Sequence, residues 1–244
     1  MKNIIFIFGL LLLATSAGAT TIRYDFENAN QMKDWKQLIE PEYPSGKWSI
    51  ENGELHFTSQ GNWCYANLLY IGDDTWKDYE LEYRFRIDKT FLPPNCDRSY
   101  GVIGSLVHIQ SGKEYRAVYT GPHNFDGDGI WEVNYSGTIF GPTLLGNSIS
   151  ASNVLNKPAE LKEKVWYKVR VVANENRYEW FIDDQIMWKF DGESPQLAYG
   201  ALGLYTRNIE ASFDDVFIQS QQDVTFVQSR NKLTTLWGEI KTAH

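Results

Sequence analysis

The sequence predicts an all-β protein, an antiparallel β-sandwich over about residues 20–220. Two observations predict it. Short runs that alternate apolar and polar residues recur along the chain, and turn sequences such as "SGK", "NEN" and "DD" separate them. Helical periodicity is nearly absent before residue 220, which argues against helical and mixed folds. About 200 patterned residues suit one large domain better than two small ones.

The predicted strands follow one another in chain order. "TIRYDF" comes first, and "WSIENGELHF" predicts a hairpin that turns at Asn52–Gly53. "YELEYRFRI" alternates most regularly, with Tyr79 to Ile87 on its apolar face and charged residues on the other. Further strands are predicted at "GVIGSLVHIQ", "EYRAVYT", "IWEVNY", "WYKVRVVA", "RYEWFID", "QIMWKF", "ALGLYT" and "ASFDDVFI". Residues 141–158, "GPTLLGNSISASNVLNKP", are predicted to form a long surface loop.

Both ends of the chain differ from its middle. Residues 1–19 have the pattern of a secretory signal, with Lys2, the apolar run "IIFIFGLLLL" and small residues at Ala17 and Ala19. We therefore expect export to a periplasmic or extracellular location. Residues 221–244 are predicted to form a linker and a short amphipathic helix, either packed on the sandwich or free to dock elsewhere. Its apolar positions are Leu233, Leu236, Trp237 and Ile240.

Composition limits the partners of this chain. A formal net charge of −8 argues against nucleic acid and against anionic lipid surfaces. No segment after the signal is long and apolar enough to predict a transmembrane helix. Aromatic residues make up 15% of the chain, with nine Trp, which suits a large core or a sugar-binding surface.

The chain has two cysteines, Cys64 and Cys96. In an exported protein they favour a disulfide, which would stabilise the fold by ~3–4 kcal/mol. Two free buried cysteines are the alternative.

One carboxylate has an unexpected position in the last predicted strand. Alternation along "SFDDVFIQS" places Asp214 on the same face as Val216 and Ile218, and Asp215 on the opposite face. An ionised carboxylate in an apolar interior costs several kcal/mol unless a cation or hydrogen-bond donors compensate it. We therefore expect Asp214 to have such a partner.

Four stretches resemble exported concanavalin A-like jelly-roll domains. They are "WSIENGELHF", "WKDYELEYRFRI", "WYKVRVVANENRYEWFIDDQ" and "GALGLYTRNIEASFDDVFI". The chain is most similar to laminin G-like domains and to the family named for 3-keto-disaccharide hydrolase, formerly a domain of unknown function. The resemblance implies a concanavalin A-like jelly roll. It also implies one structural Ca²⁺ held by Glu27 and Asp214. The alternative is that Asp214 accepts backbone N–H groups.

The same architecture implies a glycan-binding site on the outer face of a concave sheet. Parity places Glu82, Arg84 and Arg86 on that face, where arginine and glutamate would bind hydroxyls or carboxylates. Neighbouring strands would add His108, Glu114, Arg116 and Trp131, while Trp63 and Tyr65 are candidate walls. Arg84, Arg86, His108 and Arg116 should then line one patch suited to an anionic glycan. The alternatives are a solvated, self-paired charged face and a packed His108.

Three enzyme classes on this fold can be compared with the sequence. A retaining glucanase needs the E-x-D-x-x-E pattern, which is absent. A polysaccharide lyase needs Arg, His and Tyr, a pattern that His108, Arg116 and Tyr119 match only in part. The hydrolase alternative rests on overall resemblance. The sequence therefore predicts an exported polysaccharide- or glycan-binding domain, with a glycoside hydrolase or lyase as the alternative and a purely structural surface protein as a third class.

Overall fold

The fold of the chain, seen in a computed structural model, is the predicted antiparallel β-sandwich of two sheets. The structure describes residues 20–38, 46–59, 66–90, 102–110, 114–120, 129–134, 143–148, 161–175, 177–191, 199–207 and 209–220. Among these residues, no helix has the length and apolar composition needed to cross a membrane.

The strands of the described ranges are numbered in chain order. They are β1 (Thr20–Tyr24), β2 (Lys36–Leu38), β3 (Gly46–Glu51), β4 (Glu54–Ser59), β5 (Ala66–Ile71), β6 (Tyr79–Thr90), β7 (Val102–Gln110), β8 (Glu114–Thr120), β9 (Gly129–Asn134), β10 (Thr143–Ser148), β11 (Trp166–Asn174), β12 (Arg177–Ile182), β13 (Gln185–Asp191), β14 (Ala201–Arg207) and β15 (Ile209–Ser220). A 3-10 helix, Ala29–Asp34, follows β1, and the Asn28 side chain caps it by accepting from Asn30 N at 2.9 Å.

The strands are divided between two sheets. The first sheet has the order β13-β12-β11-β6-β15-β4-β3, and β1 pairs with β15. The second sheet has the order β10-β9-β8-β7-β14-β5-β2. All pairings are antiparallel, for instance β6 with β11 and β15, and β7 with β8 and β14. Strands β6 and β7 are therefore in different sheets although they follow one another in the chain.

The core lies between the inner faces of the two sheets. The alternation predicted for β6 is confirmed, because Tyr79 to Ile87 are at most 2% exposed at every second position. The predicted hairpin is also confirmed: β3 pairs with β4, and the turn residues Asn52 and Gly53 have φ of 53° and 77°. The Tyr83 hydroxyl of the first sheet and Ser105 Oγ of the second are 2.9 Å apart. Burial raises the pKa of Tyr83 well above its ordinary value.

The sequence prediction was wrong for three segments. Strands β2 and β5 were not predicted, and β10 lies inside the segment predicted to be a loop. Strand β10 pairs with β9 at the edge of the second sheet. Its sequence, "TLLGNS", is too short and too rich in turn-forming residues to show an alternation of its own.

Candidate functional site

The outer face of the first sheet carries interleaved acidic and basic side chains from β6 and its neighbours, which we call the charge ladder. Its β6 members are Glu80, Glu82, Arg84, Arg86 and Asp88. Lys168 of β11 lies opposite Arg84 in register, and its Nζ is 2.6 Å from Glu82 Oε2. The hydrogen bond with Glu82 is the main reason why the pKa of Lys168 is raised.

Arg84 is held by two consecutive aspartates of β15. Its Nη2 is 2.6 Å from Asp214 Oδ2 and its Nε is 2.9 Å from Asp215 Oδ2. Asp215 also pairs with Arg23 of β1 at 3.2 Å. Both aspartates point to the outer face because β15 has a bulge there, with φ of 51° at Asp215.

The prediction that Asp214 faces the core is therefore wrong. The bulge adds one residue between Asp214 and Phe217 relative to β6, so the alternation changes phase. Phe213 and Val216, on either side of the aspartates, are both fully buried. The expected compensation is nevertheless present, since Asp214 pairs with Arg84 and its Oδ1 accepts the backbone N–H of Asp215 at 2.7 Å.

Arg86 is the centre of a second, more buried cluster. Its Nη2 donates to Glu54 Oε2 at 2.8 Å and to Ser212 Oγ at 2.9 Å, and its Nε donates to Asp88 Oδ1 at 2.7 Å. The buried Ser212 hydroxyl donates to Asp88, and Ser212 Oγ lies 3.0 Å from His56 Nδ1. Burial opposes the charge of Asp88, but hydrogen bonds from Arg86 and Ser212 outweigh it, so the pKa of Asp88 is lowered.

Trp166 is an aromatic residue that contacts the charge ladder. Its ring lies 5.1 Å from the guanidinium carbon of Arg84 and 4.6 Å from that of Arg86. Both arginines therefore contact one aromatic ring and two carboxylates of their own chain. Their charges are already paired, as in the alternative of a self-paired charged face.

The predicted single patch of Arg84, Arg86, His108 and Arg116 is not formed. Arg84 and Arg86 belong to β6 of the first sheet, whereas His108 and Arg116 belong to β7 and β8 of the second. Arg116 pairs in register with Val107, a residue of the core. The side chains of Glu114, Arg116 and Trp131 are outside what the structure describes.

His108 is buried between the sheets and does not reach a surface. It is 0% exposed, and its Nδ1 is 2.6 Å from the Tyr178 hydroxyl of β12. Its backbone N–H donates to the Tyr79 hydroxyl at 2.7 Å. A bulge in β7, with φ of 52° at His108, turns the ring inwards. The placement of His108 on the outer face is corrected to a packed histidine.

The expected calcium ligands do not form a cage in the described part of the chain. Arg84 supplies at Asp214 the positive charge that the ion was expected to supply. Glu27 lies at the β3–β4 turn, where its Oε1 would be 2.8 Å from a Cβ placed on Gly53. The described ranges contain no group of three or more His, Cys, Asp and Glu residues that could hold a metal. Calcium binding at Glu27 and Asp214 stays a prediction. If it is right, the protein should melt at a lower temperature in EDTA than in added Ca²⁺.

A cleft on the second sheet is a candidate site for a small ligand. It has a volume of about 350 Å³ and is lined by Lys36, Tyr70, Gly72, Asp73, Asp74, Thr75 and Ala201. We call it the Tyr70 cleft. Tyr70 points outwards because its neighbours in β5, Leu69 and Ile71, are core residues. The cleft was missed from the sequence, although "LLYIGDDT" carries its signal: an outward tyrosine followed by an acidic turn.

Register explains why the Tyr70 ring is accessible. Tyr70 pairs with Lys36 of β2 on one side and with Gly203 of β14 on the other. Because glycine has no side chain, nothing from that position covers the ring. Lys36 Nζ lies 5.7 Å from the ring centroid and donates to Gly72 O at 3.2 Å. Burial and then the charge of Asp74 raise the pKa of Tyr70, so its hydroxyl stays a donor at neutral pH.

The acidic turn at the rim is fixed by its own hydrogen bonds. Asp73 Oδ1 accepts the backbone N–H of Thr75 at 2.8 Å and also the Thr75 hydroxyl. Gly72 has φ of 104°, and a Cβ there would lie 2.7 Å from the Trp76 ring. Trp76 is buried beneath the turn. The rim is therefore pre-organised by hydrogen bonds between its own residues and by the Trp76 ring packed against Gly72.

Several predicted features lie outside the described residues. They are the signal segment 1–19, the candidate walls Trp63 and Tyr65, the cysteines Cys64 and Cys96, and the C-terminal helix of residues 221–244.

Comparisons with known proteins agree with the two-sheet architecture. A family model described as a 3-keto-alpha-glucoside-1,2-lyase-like domain matches residues 24–219. A search of curated proteins found no significant match. A carbohydrate-binding module from Bacillus subtilis has a TM-score of 0.52 and 13% identity, over 77% of this chain and 96% of that one. A Bacillus subtilis protein with a galectin-like fold has a TM-score of 0.53 and 8% identity, over 82% and 94%. At these identities the structural matches show the fold alone, a galectin- or concanavalin A-like sandwich.

Proposed function

This chain belongs to the 3-keto-alpha-glucoside-1,2-lyase-like domain family, and we propose that it is an exported domain that binds a glycan. The observation that carries the proposal is the Tyr70 cleft. Its volume of about 350 Å³ is in the range of small-ligand sites and suits one or two sugar rings.

The cleft has the two kinds of group that sugar recognition needs. The Tyr70 ring offers a flat apolar face against which the C–H face of a pyranose can pack. Around it, Lys36 and the Tyr70 hydroxyl are donors, and the carboxylates of Asp73 and Asp74 are acceptors. A sugar hydroxyl can donate and accept at once, so such a mixed ring of groups suits it.

The charge ladder is a less suitable glycan site than the Tyr70 cleft. Arg84 and Arg86 each contact two carboxylates of this chain, so an anionic sugar would have to displace an existing pair. Trp166 is already stacked against both guanidinium groups. The Tyr70 cleft therefore replaces the first sheet as the proposed glycan site.

A glycan array followed by calorimetry on the positive sugars tests the proposal. Tyr70→Ala should weaken binding by at least about tenfold, or ~1.4 kcal/mol, with the melting temperature retained. Trp166→Ala is the matched control, because it removes an aromatic ring from the other sheet. If Trp166→Ala abolishes binding and Tyr70→Ala does not, the site is on the first sheet. No binding to any glycan would overturn the proposal.

The family description favours a second candidate, an elimination on a 3-keto-glucoside. The C3 ketone acidifies the C2–H bond, and a base removes that proton. The electron pair then forms the C1=C2 double bond, while the glycosidic oxygen leaves C1 and is protonated to an alcohol. In the Tyr70 cleft, the Asp74 carboxylate is the candidate base and Lys36 the cation that stabilises the enolate.

Product analysis separates the two functions. An enzyme would release the alcohol and an unsaturated sugar that absorbs in the near ultraviolet, from a 3-keto-glucoside and not from the parent glucoside. Asp74→Asn should then remove turnover while leaving binding measurable. Binding with no product from either substrate would favour the binding domain.

A further inference from the structure

We propose that His56 is a pH-sensitive link between the β3–β4 hairpin and the rest of the first sheet. The ring holds the hairpin to β15 in its imidazolium form, and the hold weakens when the ring loses a proton. His56 lies on β4, on the outer face of the sheet, and its side chain is 22% exposed. The proposal does not depend on glycan binding.

The position of His56 in the sheet makes its contacts important for the hairpin. In β4, residues 55–57 pair with residues 211–213 of β15, and His56 and Ser212 form the middle pair. On its other side β4 pairs with β3, the last strand in the order of this sheet. The contact between His56 and Ser212 therefore lies where the hairpin is attached to β15.

The hydrogen bonds of Ser212 show that His56 Nδ1 carries a proton. Ser212 Oγ accepts from Arg86 Nη2 at 2.9 Å and donates its single proton to Asp88 Oδ2. Although burial opposes its charge, hydrogen bonds from Arg86 and Ser212 keep the pKa of Asp88 low, so Asp88 only accepts at neutral pH. The second lone pair of Oγ faces His56 Nδ1 at 3.0 Å, and this contact is a hydrogen bond when Nδ1 is the donor.

The other ring nitrogen also faces acceptors. His56 Nε2 is 3.1 Å from the backbone oxygen of Glu51 and 3.6 Å from Glu54 Oε2. A backbone carbonyl can only accept, so Nε2 carries a proton as well. A neutral imidazole has one proton for these two nitrogens, and one of them would face an oxygen without a hydrogen bond. The imidazolium satisfies both contacts and joins β3 and β15 through one side chain.

The charges of the surrounding strands favour the imidazolium. Arg86 opposes a second positive charge at Ser212, but it is itself paired with Glu54 and Asp88. Among the described residues, three carboxylates and two cations belong to this cluster, so the charged ring brings it to neutrality. They are Glu51 of β3, Glu54 of β4, Asp88 and Arg86 of β6, and Lys164, whose Nζ is 3.4 Å from Asp88.

Nuclear magnetic resonance tests the protonation of the ring directly. Two-bond ¹H–¹⁵N spectra report the proton on each ring nitrogen, and His56→Gln identifies the signal among the four histidines. At pH 7 a free histidine is mostly neutral, whereas both nitrogens of His56 should be protonated. Ser212→Ala removes the acceptor of Nδ1 and should return the ring to its neutral form. Ser49→Ala is the matched control, because Ser49 pairs with His56 from β3 while its hydroxyl donates to the Glu51 carboxylate.

Thermal unfolding tests the consequence for stability. A proton bound more tightly by the folded protein stabilises it fully below the ordinary histidine pKa of about 6.5, and the effect is lost at the higher pH where the folded protein releases it. His56→Gln should lower the melting temperature by about 2–4 °C at pH 6. This gap should shrink by about half or more at pH 8.5. Asp88 is ionised at both pH values, so its own contribution does not change between them.

Two results would overturn the proposal. One is a neutral His56 ring in the parent protein at pH 7. The other is a melting-temperature gap for His56→Gln that is equal at pH 6 and pH 8.5, because His56 would then act through packing alone. If Ser212→Ala does not fold, the parent spectrum and the two melting-temperature gaps still decide the question.

Discussion

Arg84 Nη2 lies 2.6 Å from Asp214 Oδ2, across the pairing of β6 with β15 at the point where β15 bulges. The bulge turns Asp214 and Asp215 to the same side of the sheet, so one guanidinium neutralises two adjacent carboxylates. The Asp214 side chain is only 18% exposed, and it would remain as a poorly solvated charge without Arg84.

Removing that arginine should therefore destabilise the fold. We expect Arg84→Ala to lower the free energy of unfolding by ~1–2 kcal/mol, a modest value because the Arg84 side chain is 42% exposed. Urea unfolding measures it. Arg23→Ala is the control, since Arg23 contacts Asp215 but is 69% exposed, and it should change stability by less than ~0.5 kcal/mol. Equal losses of unfolding free energy in the two variants would contradict the inference that Arg84 stabilises the bulge by neutralising Asp214.

Much of the fold could be predicted because the signals are local. The alternation of β6 and the Asn52–Gly53 turn each depend on a few neighbouring residues, and both are as predicted. The alternation of odd and even residues, however, shows only which residues share one face of a strand. It does not show which other strand lies beside that strand. Strand β6 pairs with β11 and β15, both far away in sequence, so His108 was assigned to the wrong neighbourhood.

The bulges set a second limit on prediction. Positive φ at Asp215 and at His108 shifts the alternation by one residue, and neither segment contains a glycine at that position to signal it. The Tyr70 cleft was missed for a related reason. Its residues belong to β2, to β5 and the turn that follows it, and to β14. Only strand pairing in the second sheet brings these segments together.

Acid should weaken the cluster around Asp88. Its folded-state pKa is lowered, so its contribution is fully present above the ordinary Asp pKa of about 4 and is lost as pH falls through the lower folded value. Asp88→Asn should cost ~1–3 kcal/mol at pH 7, and the gap to the parent chain should shrink below about pH 4. Unfolding at a series of pH values measures the gap. Asp184→Asn is the control, because the Asp184 side chain is 77% exposed. It should lower the free energy of unfolding only slightly at any pH. A gap for Asp88→Asn that stays constant with pH would count against the ion-pair assignment.

His108 should matter for folding and not through direct contact with a ligand. It fills the space between Tyr79 and Tyr178 at 0% exposure, so His108→Ala should cost ~2–4 kcal/mol through the cavity and the lost hydrogen bond. Thermal and urea unfolding should show this loss, while the Kd for a glycan stays within about twofold at temperatures where the variant is folded. A stable variant that has lost glycan binding would return His108 to the site.

Gly203 should couple the stability of the second sheet to the Tyr70 cleft. A Cβ at Gly203 would lie 2.3 Å from Leu69 O and 2.9 Å from Tyr70 Cα, contacts that backbone atoms can relieve only by moving β5 away from β14. Gly203→Ala should therefore lower stability by ~1–3 kcal/mol and also displace the Tyr70 ring. We expect the melting temperature and glycan affinity to fall together. Gly53→Ala in the β3–β4 turn is the matched control, because its φ of 77° makes it strained while it lies in the other sheet. It should lose stability and keep glycan affinity. If Gly203→Ala loses stability but binds as the parent does, the ligand does not contact the Tyr70 side of β5.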